Sequence, residues 1–125
     1  MRVAISAISI HNKELLLVEK KWVLILPGGK PEGAETDLEC LSRELSEELR
    51  ETLEGKLTRY KDFTGTTPFK GDELLNRTYF ITLPKKEYPA NAEINRGFYT
   101  KEFDKYIISD ITRKEIEQLK KDNLL

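Results

Sequence analysis

The chain has 125 residues, 38% of them apolar, which suffices for a single domain over residues 1–125 with a proper core. A formal net charge of −1 offers no bulk attraction for nucleic acid, and no apolar run reaches membrane-spanning length. The single cysteine, Cys40, excludes an internal disulfide. With no signal-peptide pattern at the N-terminus, a cytoplasmic monomer or homodimer with no membrane partner is expected.

Residues 3–10 and 14–18 are rich in Val, Ile and Leu and predict two strands joined by the polar turn His11-Asn12-Lys13. His11 is the only histidine, and a turn histidine without a partner reads as surface. After Lys20-Lys21, residues 22–26 predict a short strand running into Pro27-Gly28-Gly29, where glycines permit a sharp turn and close approach to a ligand. From about Thr36 the chain predicts a helix. Leu38, Leu41, Leu45 and Leu49 recur at helical spacing as an apolar stripe, with Cys40 away from it. Glu44, Glu47 and Glu48 stand at i, i+3 and i+4, so their carboxylates share another face. Residues 32–54 hold nine acids and two bases, a net charge of −7. Like charges so placed repel, and a hard divalent cation is one means of compensating them; a solvated helix face is the alternative.

Beyond the helix, residues 56–63 and 74–83 predict two strands. The second places Leu75, Arg77, Tyr79 and Ile81 on one face and Leu74, Asn76, Thr78 and Phe80 on the other, a mixed pattern suited to a sheet face that lines a cleft. Residues 64–73, which include Pro68 and Phe69, read equally as a substrate loop or a plain hairpin connection. Residues 84–97 form a second long irregular segment carrying Glu87 and Glu93, followed by a short strand over 98–100. Short helices are predicted over 101–107 and 112–121, the latter capped by Asp110 or Thr112. Hairpin-joined strands interrupted by a helix point to an α/β (α+β) fold, a mixed sheet sandwiched between helices.

Gly29, then Glu35 after five residues, then Arg43-Glu44-Leu45-Ser46-Glu47-Glu48 after seven more, resembles the signature box of the Nudix (MutT-like) hydrolases in spacing and residue type. The family's box continues with a glycine and an apolar residue one place further on; here those places hold Arg50 and Glu51. The resemblance implies the Nudix fold and a magnesium- or manganese-dependent hydrolase. Its substrate would be a nucleoside diphosphate linked to another moiety: a nucleoside triphosphate, a nucleotide sugar or an ADP-ribose type compound.

It further implies that Glu44, Glu47 and Glu48 hold the metal, with an oxygen from Gly28 and with Glu93 as a further metal or base residue. Arg43, four residues before Glu47, is placed to hold a carboxylate, and Glu35 to start the helix or to act in the site. The family takes its general base from the box helix or a later loop, which leaves Glu44 and Glu93 as candidates and Glu87 as a weaker rival. Gly28, Gly29, Arg77 and Tyr79 are the substrate-binding candidates, and Trp22, Phe69 and Tyr99 join Tyr79 as aromatics able to stack on a base. Pro68 falls near, but not at, a proline that some ADP-ribose-cleaving members carry. The aromatic- and proline-rich motif of NADH-cleaving members is absent. An inactive Nudix-like nucleotide-binding or regulatory module is the alternative, against which the intact glutamate triplet counts. With no breaker over residues 50–53, the helix is expected to run to Leu53 or Glu54 with Gly55 as its cap; the alternative is Arg50 itself at positive φ.

Overall fold

A computed structural model describes residues 1–53, 56–67 and 69–125. The element order is β1 (Arg2–Ile8), β2 (Ile10–His11), β3 (Glu14–Lys20), β4 (Val23–Ile25), β5 (Gly28–Gly29) and α1 (Asp37–Leu49), then β6 (Thr58–Thr66), β7 (Glu73–Phe80), β8 (Glu87–Tyr88), β9 (Arg96–Thr100), a 3-10 turn (Phe103–Lys105) and α2 (Asp110–Lys121). The expected single mixed sheet is in fact two. One has four strands in the order β5-β1-β7-β6, with β1 and β7 parallel and its other pairs antiparallel. In the other, β3 pairs β9 along one edge and β2 and β4 along the other, and β8 flanks β9.

Strand periodicity divides the core in two. On β3, Leu16 and Val18 join Ile5, Ala7 and the buried face of α1, whereas Leu15 and Leu17 join Ile8, Leu24 and the buried face of α2. A strand buried on both sides must be apolar at successive positions, which is why residues 15–18 carry no polar alternation. The sheets thus lie between the two helices, as expected.

Asn12-Lys13 and Lys21-Trp22 each place two consecutive residues at positive φ, the backbone of tight hairpin turns. Thr36 opens α1 with a reciprocal capping box. Its Oγ1 accepts from the Glu39 N–H at 3.2 Å, and Glu39 Oε1 accepts from the Thr36 N–H at 3.0 Å. Two readings of α1 need correction. Cys40 is fully buried in the core and Leu38 is 43% exposed, so the buried stripe is Cys40, Leu41, Leu45 and Leu49. The narrow leucine spacing misled because the helix meets the sheet on the side next to the Gly-Gly turn. α2 is capped by Ser109, whose Oγ accepts from the Thr112 N–H at 3.3 Å, in place of Asp110 or Thr112.

The helix also stops at Leu49 and does not reach Leu53. Arg50 is left-handed, with φ 57° and ψ 33°. Its N–H donates to the Ser46 carbonyl at 3.1 Å and the Glu51 N–H to the Leu45 carbonyl at 3.3 Å, the pairing of a Schellman stop. Tertiary partners supply what local propensity does not. Glu51 accepts from Tyr88 Oη at 2.6 Å, Asn91 Nδ2 donates to the Glu48 carbonyl at 2.8 Å, and Leu53 packs on the α1 core. Gly55 lies outside the described residues. A Cβ in this conformation carries a penalty of roughly 1 kcal/mol that glycine avoids. Arg50→Gly is therefore expected to stabilise the protein by about 0.5–1 kcal/mol in urea unfolding, net of the entropy glycine adds to the unfolded chain. A loss of stability would show that the Arg50 side chain, and not its backbone, matters at this stop.

Candidate active site

The site is built where α1 passes over the Gly28–Gly29 turn. Gly28 sits at φ 140°, and a Cβ there would lie 2.1 Å from the Ile5 carbonyl oxygen. A Cβ on Gly29 would lie 2.3 Å from a Glu44 carboxylate oxygen. Both glycines are therefore required by close approach, one to β1 and one to the helix. The Gly28 N–H donates to Glu48 Oε1 at 2.9 Å. The other Glu48 oxygen has no hydrogen-bond partner and forms an ion pair with Lys20 at the end of β3. Glu48 is 0% exposed, a carboxylate seated wholly inside the protein at a backbone turn.

Arg43 organises the remaining acids. Its Nε and Nη2 donate to Glu35 at 2.8 and 3.0 Å, a bidentate pair across the loop. Nη2 also donates to the Lys30 carbonyl at 2.9 Å, and Nη1 to Glu44 at 3.0 Å and Glu47 at 3.3 Å. One guanidinium thus ties the 30–35 loop to two carboxylates of the helix. Glu35 accepts in addition from the Glu32 N–H at 2.7 Å, so its place is structural as well as electrostatic. Hydrogen bonding from Arg43 lowers the Glu35 carboxyl below its ordinary range, and Glu35 in turn raises the Arg43 guanidinium.

Two of the three box carboxylates are brought together and one is not. Glu44 and Glu48 flank the glycine turn, whereas Glu47 is 43% exposed and held outward by Arg43. Among the described residues no three Asp, Glu, His or Cys side chains are gathered closely enough to chelate an ion in this arrangement. The donors are nevertheless suited to a hard cation: carboxylate oxygens, one of them buried and without a hydrogen bond, beside a glycine turn that leaves room for them. Glu93 is exposed, in a loop tethered to the end of α1 through Asn91, whose Oδ1 accepts the Glu93 N–H at 2.7 Å. Arg77 and Tyr79 project to the α1 side and engage its first residue. Arg77 donates to both oxygens of Asp37 at 3.0 Å, and the Tyr79 hydroxyl also donates to Asp37. Of the other aromatic candidates, Trp22 is exposed at a turn, Tyr99 shares a 2.6 Å hydrogen bond with Ser9, and Phe69 lies at the rim of a cavity that begins at Gly28.

Sequence reasoning missed Lys20, which read only as a break between strands and carries no signal of its pairing. It also missed Asn91, whose Asx-type bonding is a common loop device and not a site signal.

Burial raises both helix carboxyls. Glu44 is raised by desolvation against the pull of Arg43, and Glu48 is pushed up to about 7 by burial, which outweighs Lys20 and the Gly28 N–H. Without metal, the folded protein therefore retains a proton on Glu48 that the unfolded chain releases near 4.5. Between those values the native state binds more protons, so stability falls as pH rises from about 4.5 through about 7. In Glu48→Gln this component is absent. Urea unfolding in the presence of a chelator at several pH values is expected to show a shallower decline for the variant, and equal slopes would place the effect elsewhere.

The NUDIX domain family model matches residues 1–120. No curated protein matches the chain in sequence. Among solved structures it resembles a MutT protein from Methanosarcina mazei Go1, at 16% identity and TM-score 0.79, covering 98% of this chain and 94% of that one. It also resembles a NUDIX hydrolase from Nitrosomonas europaea, at 19% identity and TM-score 0.72, over 93% of this chain and 86% of that one. A third likeness is to the NUDIX domain of Shewanella oneidensis NrtR, solved with ADP ribose, at 15% identity and TM-score 0.71, over 98% of this chain and 88% of that one. With the box residues placed at the glycine turn and the family model spanning nearly the whole chain, this protein belongs to the Nudix family.

Proposed function

We propose that this protein is a divalent-metal-dependent hydrolase that cleaves the diphosphate bond of a nucleoside diphosphate linked to another moiety. The observation that carries the reading is Glu48: fully buried, oriented by the Gly28 N–H and left with one oxygen free of hydrogen bonds. A fold retains so costly a group where a charged ligand completes it. The complex of the Shewanella NrtR domain with ADP ribose supports a nucleotide-derived ligand for this fold.

Glu48 and Glu44, with Glu47 once Arg43 releases it, are the residues that would hold magnesium or manganese, joined by Gly28 and by Glu93 from its loop. The ion supplies neutralisation of the diphosphate oxygens and a more acidic water. The protein supplies position. The Gly28 N–H and Lys20 fix Glu48, while Arg43 braces the 30–35 loop against the helix and so holds Glu44 at Gly29. Lys20 and Lys30 bring positive charge to the mouth of the adjoining cavity, where a diphosphate would lie. In the reaction a water oxygen forms a new bond to phosphorus, the anhydride P–O bond breaks, and the water proton passes to a carboxylate. Glu44 suits that role because burial brings its carboxyl closer to neutrality than an exposed glutamate. Glu93 is the competing base, reaching in from the loop that Asn91 anchors.

A phosphate-release screen over nucleoside triphosphates, dinucleoside polyphosphates and nucleotide sugars should detect turnover only with magnesium or manganese. In Glu48→Gln the rate is expected to drop about 100-fold or more with the fold intact. Near wild-type turnover in that variant would overturn the site assignment. Glu93→Gln separates the bases: an unchanged rate assigns the proton to Glu44.

A further inference from the structure

The mechanism leaves one buried acid unused. On α2, Ile111, Ile116 and Leu119 form the core-facing side, and Glu115 lies among them at 0% exposure. Asn76 Nδ2 donates to Glu115 Oε2 at 2.5 Å, and Ser6 Oγ donates to Asn76 Oδ1 at 2.8 Å. Glu115 Oε1 has no hydrogen-bond partner, and no cation pairs with Glu115 among the described residues. These three side chains line a cavity of about 200 Å³ between the four-stranded sheet and α2. Its opposite end is formed by Gly28, Gly29 and Lys20, which are active-site residues. Ile25, Leu74 and Ile111 contribute apolar walls, and Phe69 stands at the rim.

The polar floor has a definite hydrogen-bond character. A buried carboxylate with no cation beside it is far less stable than the neutral acid. Burial accordingly pushes the Glu115 carboxyl up to about 8, so it carries its proton at neutral pH. Oε2 accepts from Asn76, which leaves the proton on Oε1 as a donor. Asn76 uses its carbonyl for Ser6 and one N–H for Glu115, and its second N–H is a further donor. Apolar walls take the faces of a flat ring, and two donors require two acceptors side by side on its edge. A 6-oxopurine presents such a pair in O6 and N7, whereas adenine sets an amino donor at the first of these positions.

We propose that this cavity is a base subsite in which Glu115 and Asn76, braced by Ser6, select a 6-oxopurine over a 6-aminopurine. The proposal rests on the nucleotide reading above and names the base that reading leaves open. Discrimination of about 10- to 100-fold is expected from a bidentate contact of this kind.

Calorimetric binding of GMP, IMP and AMP to the full chain with magnesium tests it. In the wild type GMP and IMP should bind at least about 10-fold more tightly than AMP. Glu115→Gln should keep the preference, since the amide N–H replaces the carboxyl O–H. Glu115→Leu, checked for folding by its melting temperature, should bring the three ligands within about twofold, a change that a purely structural role would not produce. AMP binding as tightly as GMP in the wild type overturns the proposal by itself, as does no binding of any of the three, or a preference that survives Glu115→Leu. Hydrolysis of nucleoside polyphosphates by the same preparation separates the two readings. Turnover without base preference sinks only this inference, and base preference without turnover sinks only the proposed reaction.

Discussion

The seating of α1 on the Gly28–Gly29 turn is the constraint from which the site follows. The helix comes so close that a methyl group on Gly29 would overlap the Glu44 carboxylate, and one on Gly28 would strike the β1 backbone. That proximity lets a main-chain N–H reach a buried glutamate three turns along the helix from its start. Peptide donors do not swing as side chains do, so Glu48 is oriented by the sheet itself. Glu44, one turn earlier, then faces the turn from the same side. A longer side chain at either glycine would lift the helix and separate the acids from the strand that orients them.

Charge is arranged around this contact in two layers. The segment 32–54 carries a net −7, yet Arg43 alone bridges Glu35, Glu44 and Glu47 and holds the preceding loop by a carbonyl. Lys20 reaches Glu48 from the neighbouring sheet. Removing one partner of such a buried pair is strongly unfavourable, because the remaining charge has neither water nor counterion. The same argument accounts for burial raising the Glu48 carboxyl in spite of the lysine. The acids are thus held close by cations from elements distant in the chain, and a ligand cation would enter in competition with them.

The two central parallel strands join the site to the cavity behind it. Side chains alternate across a strand, so Ile5, Arg77 and Tyr79 face α1, while Ser6, Leu74 and Asn76 face α2. The α1 face carries the acids and their supports. The α2 face carries a small apolar chamber with a hydrogen-bonded floor. Gly28 and Gly29 border both, which places diphosphate chemistry and recognition of the attached group on opposite sides of one turn.

How much of this was legible depended on range. Strand and helix positions, the Gly-Gly turn, the i, i+3, i+4 glutamates and the family box are local patterns, and period and spacing alone disclose them. The mixed polarity of residues 74–83 marked a strand lining a cleft, and Asn76 does line one. Glu115 had a signal that went unread, a carboxylate four residues before Leu119 on the apolar side of α2. Other features had none. Lys20 pairs with a residue 28 positions away, and Arg77 and Tyr79 turn to Asp37 because the pleat directs them toward α1. The end of α1 was settled against local propensity: nothing in residues 50–53 breaks a helix, but Tyr88, Asn91 and the core draw Glu51, the Glu48 carbonyl and Leu53 into other bonds. The sequence by itself determined which elements form and which acids share a helix face, since both depend on neighbours a few residues apart. Tertiary structure alone decided how those acids are oriented, protonated and paired, since burial and the partner cations come from segments far along the chain.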